Sequence, residues 1–155
     1  MWPEAQPDPA HIIQAPSDHF LEYEAFRQLY ERPYLAYARL RTGDARHAAH
    51  AVAKAFTILS YRWAEALQSE CLAADAWNIL NTAVGDADNC GPGGLQRRCH
   101  LNTVQADAVR LHHHLRLTLQ DTAALLGTDN HTVRAALSSA ARTTCPASPC
   151  RLHPA

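Results

Sequence analysis

The stretch Asp121–Arg142, DTAALLGTDNHTVRAALSSAAR, decides how the chain is read. It places a glycine between two short apolar-striped segments. Ala123 is small enough to let two helices approach, and Gly127 supplies the positive dihedral of a tight turn. Asp129 is placed to cap the second helix by accepting from the amides near His131 and Thr132. Val133 and Leu137 then face back onto Leu125 and Leu126. That burial turns Asn130, His131, Arg134, Ser138 and Arg142 outward at spacings of three to four. Amide, imidazole, guanidinium and hydroxyl groups in one row can bond base edges and phosphates, as a recognition helix in a major groove must. The same pattern also fits a plain helical hairpin whose polar side faces water.

Working outward, Val104–Leu115 and Leu119–Leu126 read as the helices before this one, and Asn130–Ala141 as the last. His112, His113 and His114 sit on the first of them as a solvated or part-core run. Towards the N-terminus, Gly85–Thr103 (GDADNCGPGGLQRRCHLNT) is rich in glycine and has no apolar period, so it reads as a linker. Before it the chain shows helical periodicity again. Asp18 opens a helix carrying Phe20, Leu21, Tyr23, Phe26, Leu29 and Tyr30, which Pro33 interrupts or restarts. Gly43 and Asp44 end one helix and cap the next, predicted over Ala45–Leu67 with a stripe of Ala48, Val52, Phe56, Leu59 and Trp63. Ala74–Val84 makes another, with Trp77, Ile79 and Leu80. Trp63 and Trp77 stand at stripe positions and read as core. No stretch alternates as a strand, so the expected fold is all-α. It comprises a flexible segment 1–17, a helical bundle 18–84, the linker 85–103, a helix-turn-helix 104–142 and a flexible tail 143–155.

The charge is asymmetric. The 155-residue chain has a formal charge of −1. Residues 1–95 hold seven Lys/Arg against twelve Asp/Glu, whereas 96–155 hold seven against three. A basic second half leaves room for a polyanionic partner. The acidic, proline-broken start MWPEAQPDPA has no basic or apolar signal region, and no uncharged apolar run is long enough to span a bilayer, so a cytoplasmic protein without a membrane partner is expected. The five cysteines form no CxxC pair and read as free thiols. Cys145, Cys150 and His153, with a fourth ligand from Cys90, Cys99 or His100, offer zinc-like spacing in a tail whose composition argues against order. No metal or other cofactor is expected. Catalysis has no support either: there is no glycine-rich phosphate loop, HExxH pair or nucleophile elbow, and His47 and His50 lack a carboxylate three or four residues beyond them.

The segment LQDTAALLGTDNHTVRAALSSAAR resembles the promoter-reading fourth region of the bacterial sigma-70 family, in particular the extracytoplasmic-function group. Ala123, Leu126, Gly127, Thr132, Val133, Leu137, Ala140 and Arg142 fall in register with that family's wording. LYERPYLAYARLRTGDARHAAHAVAKAFTILS is similar to the second sigma region at Gly43, Asp44, Ala48, Val52 and Phe56. Ala76, Trp77 and Ile79 are similar to the helix that begins the family's promoter-opening surface. The likeness covers roughly 18–142. It implies a transcription regulator that binds double-stranded promoter DNA through Asn130, His131, Arg134, Ser138 and Arg142. It also implies docking on core RNA polymerase through the surface of Ala49, His50, Ala53 and Lys54. The departures matter: those four replace the acidic and amide residues usual there, and from Ala64 to Gln96 there are five acidic residues and no Lys or Arg. A second expectation is therefore a degenerate sigma-like interaction module that binds an anti-sigma protein or another regulator without opening a promoter.

Overall fold

The computed structural model describes residues 15–88 and 103–143, and these are helical with no strand among them. The fold is all-α. Helix α1 runs Ala15–Thr42, α2 Ala45–Tyr61, α3 Trp63–Ala66 and α4 Leu72–Asp88. Helix α5 (Thr103–Val109) passes into a π-helical turn over Arg110–His114, followed by α6 (Leu119–Leu126) and α7 (Asn130–Arg142).

Helix α1 is continuous through Pro33, so the expected interruption does not occur, and it begins three residues ahead of Asp18. Proline deprives one carbonyl of its donor, that of Leu29. The Leu29 side chain is 70% exposed, so water can replace the lost partner. Across the same region the buried side is an unbroken aromatic ladder. Phe26 stacks on Tyr30 at 4.3 Å, Tyr30 reaches Tyr34 at 5.7 Å, and Tyr34 meets Trp77 edge-on at 5.8 Å. Such ring contacts favour one continuous helix over two short ones.

The α1–α2 corner follows from two residues. Gly43 has φ 69° and its amide donates to the Arg39 carbonyl at 2.9 Å, closing α1. Asp44 is extended, and its carboxylate accepts from the His47 amide at 3.1 Å, opening α2. That bond, first among its causes, holds the Asp44 carboxyl below the usual carboxylate range. Ala48, Ala51, Val52, Ala55, Phe56 and Leu59 form the buried stripe of α2, and its alanines let α1 and α4 come close.

The helix predicted over Ala45–Leu67 breaks at Arg62, which leaves the helical region with φ −104° and ψ 14°. The break re-aims Trp63 into the aromatic cluster, where it meets Tyr23 edge-on at 5.4 Å and is 5% exposed. Arg62 itself turns to solvent and pairs with Glu65 at 3.0 Å. Helix α4 continues through Gly85 to Asp88, past its expected end at Val84.

The segments expected as separate units, 18–84 and 104–142, are in contact. Leu111 and Leu125 belong to the same buried cluster as Tyr34, Phe56, Leu59, Trp77 and Leu80. A smaller cluster of Ala108, Ala123, Val133 and Ala136, with Leu119, Leu126 and Leu137 against it, lies within the helix-turn-helix. At the joint Gly127 sits directly on Ala74, whose backbone occupies the space a Cβ would need.

Candidate nucleic-acid interface

The turn between α6 and α7 is built from local signals at both ends. Thr118 caps α6, accepting from the Asp121 amide at 3.0 Å while its hydroxyl donates to the Asp121 carboxylate at 2.8 Å. Gly127 ends α6 with φ 67° and ψ 39°, and the Thr128 amide returns to the Ala123 carbonyl at 3.0 Å. Asp129 then opens α7 by accepting from the Thr132 amide at 2.6 Å. The same bond is the main reason its carboxyl is held below the usual range, with His131 nearby adding to the effect.

Helix α7 divides cleanly. Val133, Ala136 and Ala140 are buried and Leu137 half-buried against α5 and α6. Gln105 on α5 donates to the Ser139 hydroxyl at 2.8 Å, which fixes the roll of α7 about its own axis. Asn130, His131, Arg134, Ser138 and Arg142 are all exposed, on a helix that contacts α5 and α6. Arg134 and Arg142 make no ion pair among the described residues, so their guanidinium groups are uncommitted. The row can offer donors and acceptors to base edges and two permanent charges to phosphates.

Ala49, His50, Ala53 and Lys54 also lie together on an exposed face, that of α2. Two of the four are methyl groups, so this face has little capacity for directed hydrogen bonds. Near the end of α2, a cavity of about 650 Å³ is lined by Ile58, Arg62, Glu65, Ser69, Asp75 and Asn78 among others. Arg62 is already held by Glu65, which leaves the mouth acidic and unsuited to phosphate.

His112 is half-buried, with its ring Nδ1 against the Leu117 carbonyl at 2.8 Å, while His113 and His114 are exposed. The described residues contain no group of three or more His, Cys, Asp or Glu able to hold a metal. Cys90, Cys99, His100, Cys145, Cys150 and His153 lie outside the described residues. Among those described, no helix is long and apolar enough to cross a membrane.

One residue escaped the sequence reading. Asp107 is 1% exposed, and its carboxylate accepts from Tyr37 Oη at 2.7 Å, Trp77 Nε1 at 3.0 Å, Asn81 Nδ2 at 2.9 Å and Arg110 at 3.1 Å. Burial, and next the Asp107 charge, push the Tyr37 phenol upward, so it stays a donor. The available signal was an acid on the inward side of an amphipathic segment, one turn before Leu111, which is fully buried.

Comparison with family models, with curated proteins and with solved structures yields no match.

Proposed function

We propose that the protein is a sigma factor-like transcription regulator in the bacterial cytoplasm that binds double-stranded promoter DNA through α7. The observation that supports this most is the outward row of Asn130, His131, Arg134, Ser138 and Arg142 on a helix whose roll is fixed by α5 and whose start is fixed by Gly127 and Asp129. Asn130 and Arg134 would read base edges, and Arg142 at the far end would neutralise a phosphate. The α2 face of Ala49, His50, Ala53 and Lys54 would dock on core RNA polymerase. No catalytic step is assigned to the chain.

With so few cations in the row, affinity should be modest and should fall steeply as salt rises. A gel-shift titration on promoter fragments at low ionic strength tests the proposal. Wild-type protein should bind, and Arg134→Ala should bind more weakly with a salt slope reduced by about one. Absence of salt-sensitive binding by the wild type would remove the DNA claim.

A second reading is favoured by the acidic cavity at α2, α3 and α4 and by the methyl-rich α2 face: an interaction module that engages an anti-sigma protein or another regulator. Association with core polymerase in a pull-down separates the two. Retention on the polymerase supports the first reading, and its absence supports the second.

A further inference from the structure

We propose that Arg116 is a phosphate contact of the nucleic-acid interface, a cation held at the rim of the groove that α7 enters. The inference rests on the reading of α7 as a DNA-binding helix and adds a residue from outside it.

Arg116 lies in the connection between the π-helical turn and α6, at φ 59°. Among the described residues no other side chain apart from the glycines sits on a positive φ. Its neighbours impose that conformation. Leu115 and Leu117 both pack against the larger apolar cluster, and the Leu117 amide donates to the Leu111 carbonyl at 3.1 Å. The Leu117 carbonyl in turn lies 2.8 Å from His112 Nδ1. With both flanking residues pinned inward, Arg116 between them is left-handed and exposed. Glycine takes this conformation without strain and arginine does not. Strained residues persist where the surrounding structure over-determines them, and they gather at binding sites. Inside the protein the side chain has no use: Arg116 makes no ion pair or hydrogen bond among the described residues.

The surroundings suit an anion. From Ala108 to Gln120 there is no Asp or Glu. Arg110 is held by Asp107, while His113 and His114, three and two residues before Arg116, are exposed. The position suits a DNA strand. In a bound helix-turn-helix the first helix crosses the backbone while the second lies in the major groove. The eight residues of α6 span about 12 Å, which is also about the width of that groove. Arg116, at the head of α6, is therefore placed at the phosphates bordering the groove when α7 lies within it. A guanidinium there bonds phosphate oxygens and carries no base preference.

Gel-shift titrations of wild type, Arg116→Gly and Arg116→Lys on several promoter fragments, paired with urea unfolding, test it. Arg116→Gly relieves the strain and removes the charge. It should bind every fragment about fivefold more weakly at low salt, with a salt slope lower by about one, while its unfolding midpoint stays at or above that of wild type. Arg116→Lys should bind within about twofold of wild type, since a phosphate accepts either cation. Arg134→Ala should instead lose more on some fragments than on others. Equal affinity and salt slope for wild type and Arg116→Gly would overturn the phosphate contact and leave α7 as the DNA-binding helix. A lowered unfolding midpoint in Arg116→Gly would also overturn it, because the arginine would then be holding the fold. Absence of salt-sensitive binding by the wild type would remove the α7 reading and Arg116 with it.

Discussion

Two glycines with nearly the same backbone conformation should respond differently to a methyl group. Gly43 and Gly127 have φ 69° and 67°, so alanine at either meets left-handed strain of about 1–2 kcal/mol. A Cβ on Gly43 would meet nothing within 4 Å, whereas one on Gly127 would run into the Ala74 backbone. Urea unfolding should therefore show Gly43→Ala losing about 1 kcal/mol and Gly127→Ala about 2–4 kcal/mol, the difference being overlap. Asp129 gives a pH prediction. Its folded pKa is depressed, chiefly by the Thr132 amide. It therefore stabilises α7 above the unfolded carboxylate value of about 4, and the contribution disappears as pH falls through the lower folded value. The protection of the Thr132 amide, its exchange rate relative to the intrinsic rate at the same pH, should fall on acidification by more than that of amides in the neighbouring helices. In Asp129→Ala it should lack this extra acid dependence.

Among the elements, α1 and α7 show where periodicity suffices and where it does not. The end of α6 and the start of α7 were legible because Gly127 and Asp129 act within a few residues of themselves, and local chemistry needs no distant partner. Pro33 misled because its local cost is outweighed by Phe26 packing on α3 and Tyr34 on α2 and α4, partners that periodicity does not reveal. It follows that Pro33→Ala should keep α1 helical and stabilise the protein, by no more than the roughly 3 kcal/mol an interior proline costs, as measured by the denaturation midpoint. The break at Arg62 has a similar origin, since it is the position of Trp63 against Tyr23 and Phe26 that ends α2. The outward row on α7 was readable as a set, whereas its roll depends on the contact from Gln105 to Ser139.

Taken as a whole, the molecule has two apolar clusters, the larger of which draws Leu111 and Leu125 from the helix-turn-helix half against the bundle, and leucines in different places should report on them separately. Leu80 and Leu111 are both fully buried in the larger cluster, but Leu80 lies within the bundle and Leu111 comes from the other half. Each truncation to alanine should cost about 2–5 kcal/mol. Leu80→Ala should lower the unfolding midpoint without enlarging the folded molecule in small-angle scattering. Leu111→Ala removes apolar contact across the joint and should enlarge it.

Taken alone, the order of residues was enough to establish an all-helical chain, the helix-turn-helix near its end and the side chains that end outward on α7. Each of these rests on interactions between residues a few places apart, which periodicity, caps and a glycine encode directly. The contact between the halves was decided only in three dimensions. Asp107 lies 70 positions from Tyr37, 30 from Trp77 and 26 from Asn81. A carboxylate reads as a surface group until the fold brings its donors around it, because its hydration is surrendered only when those partners arrive together.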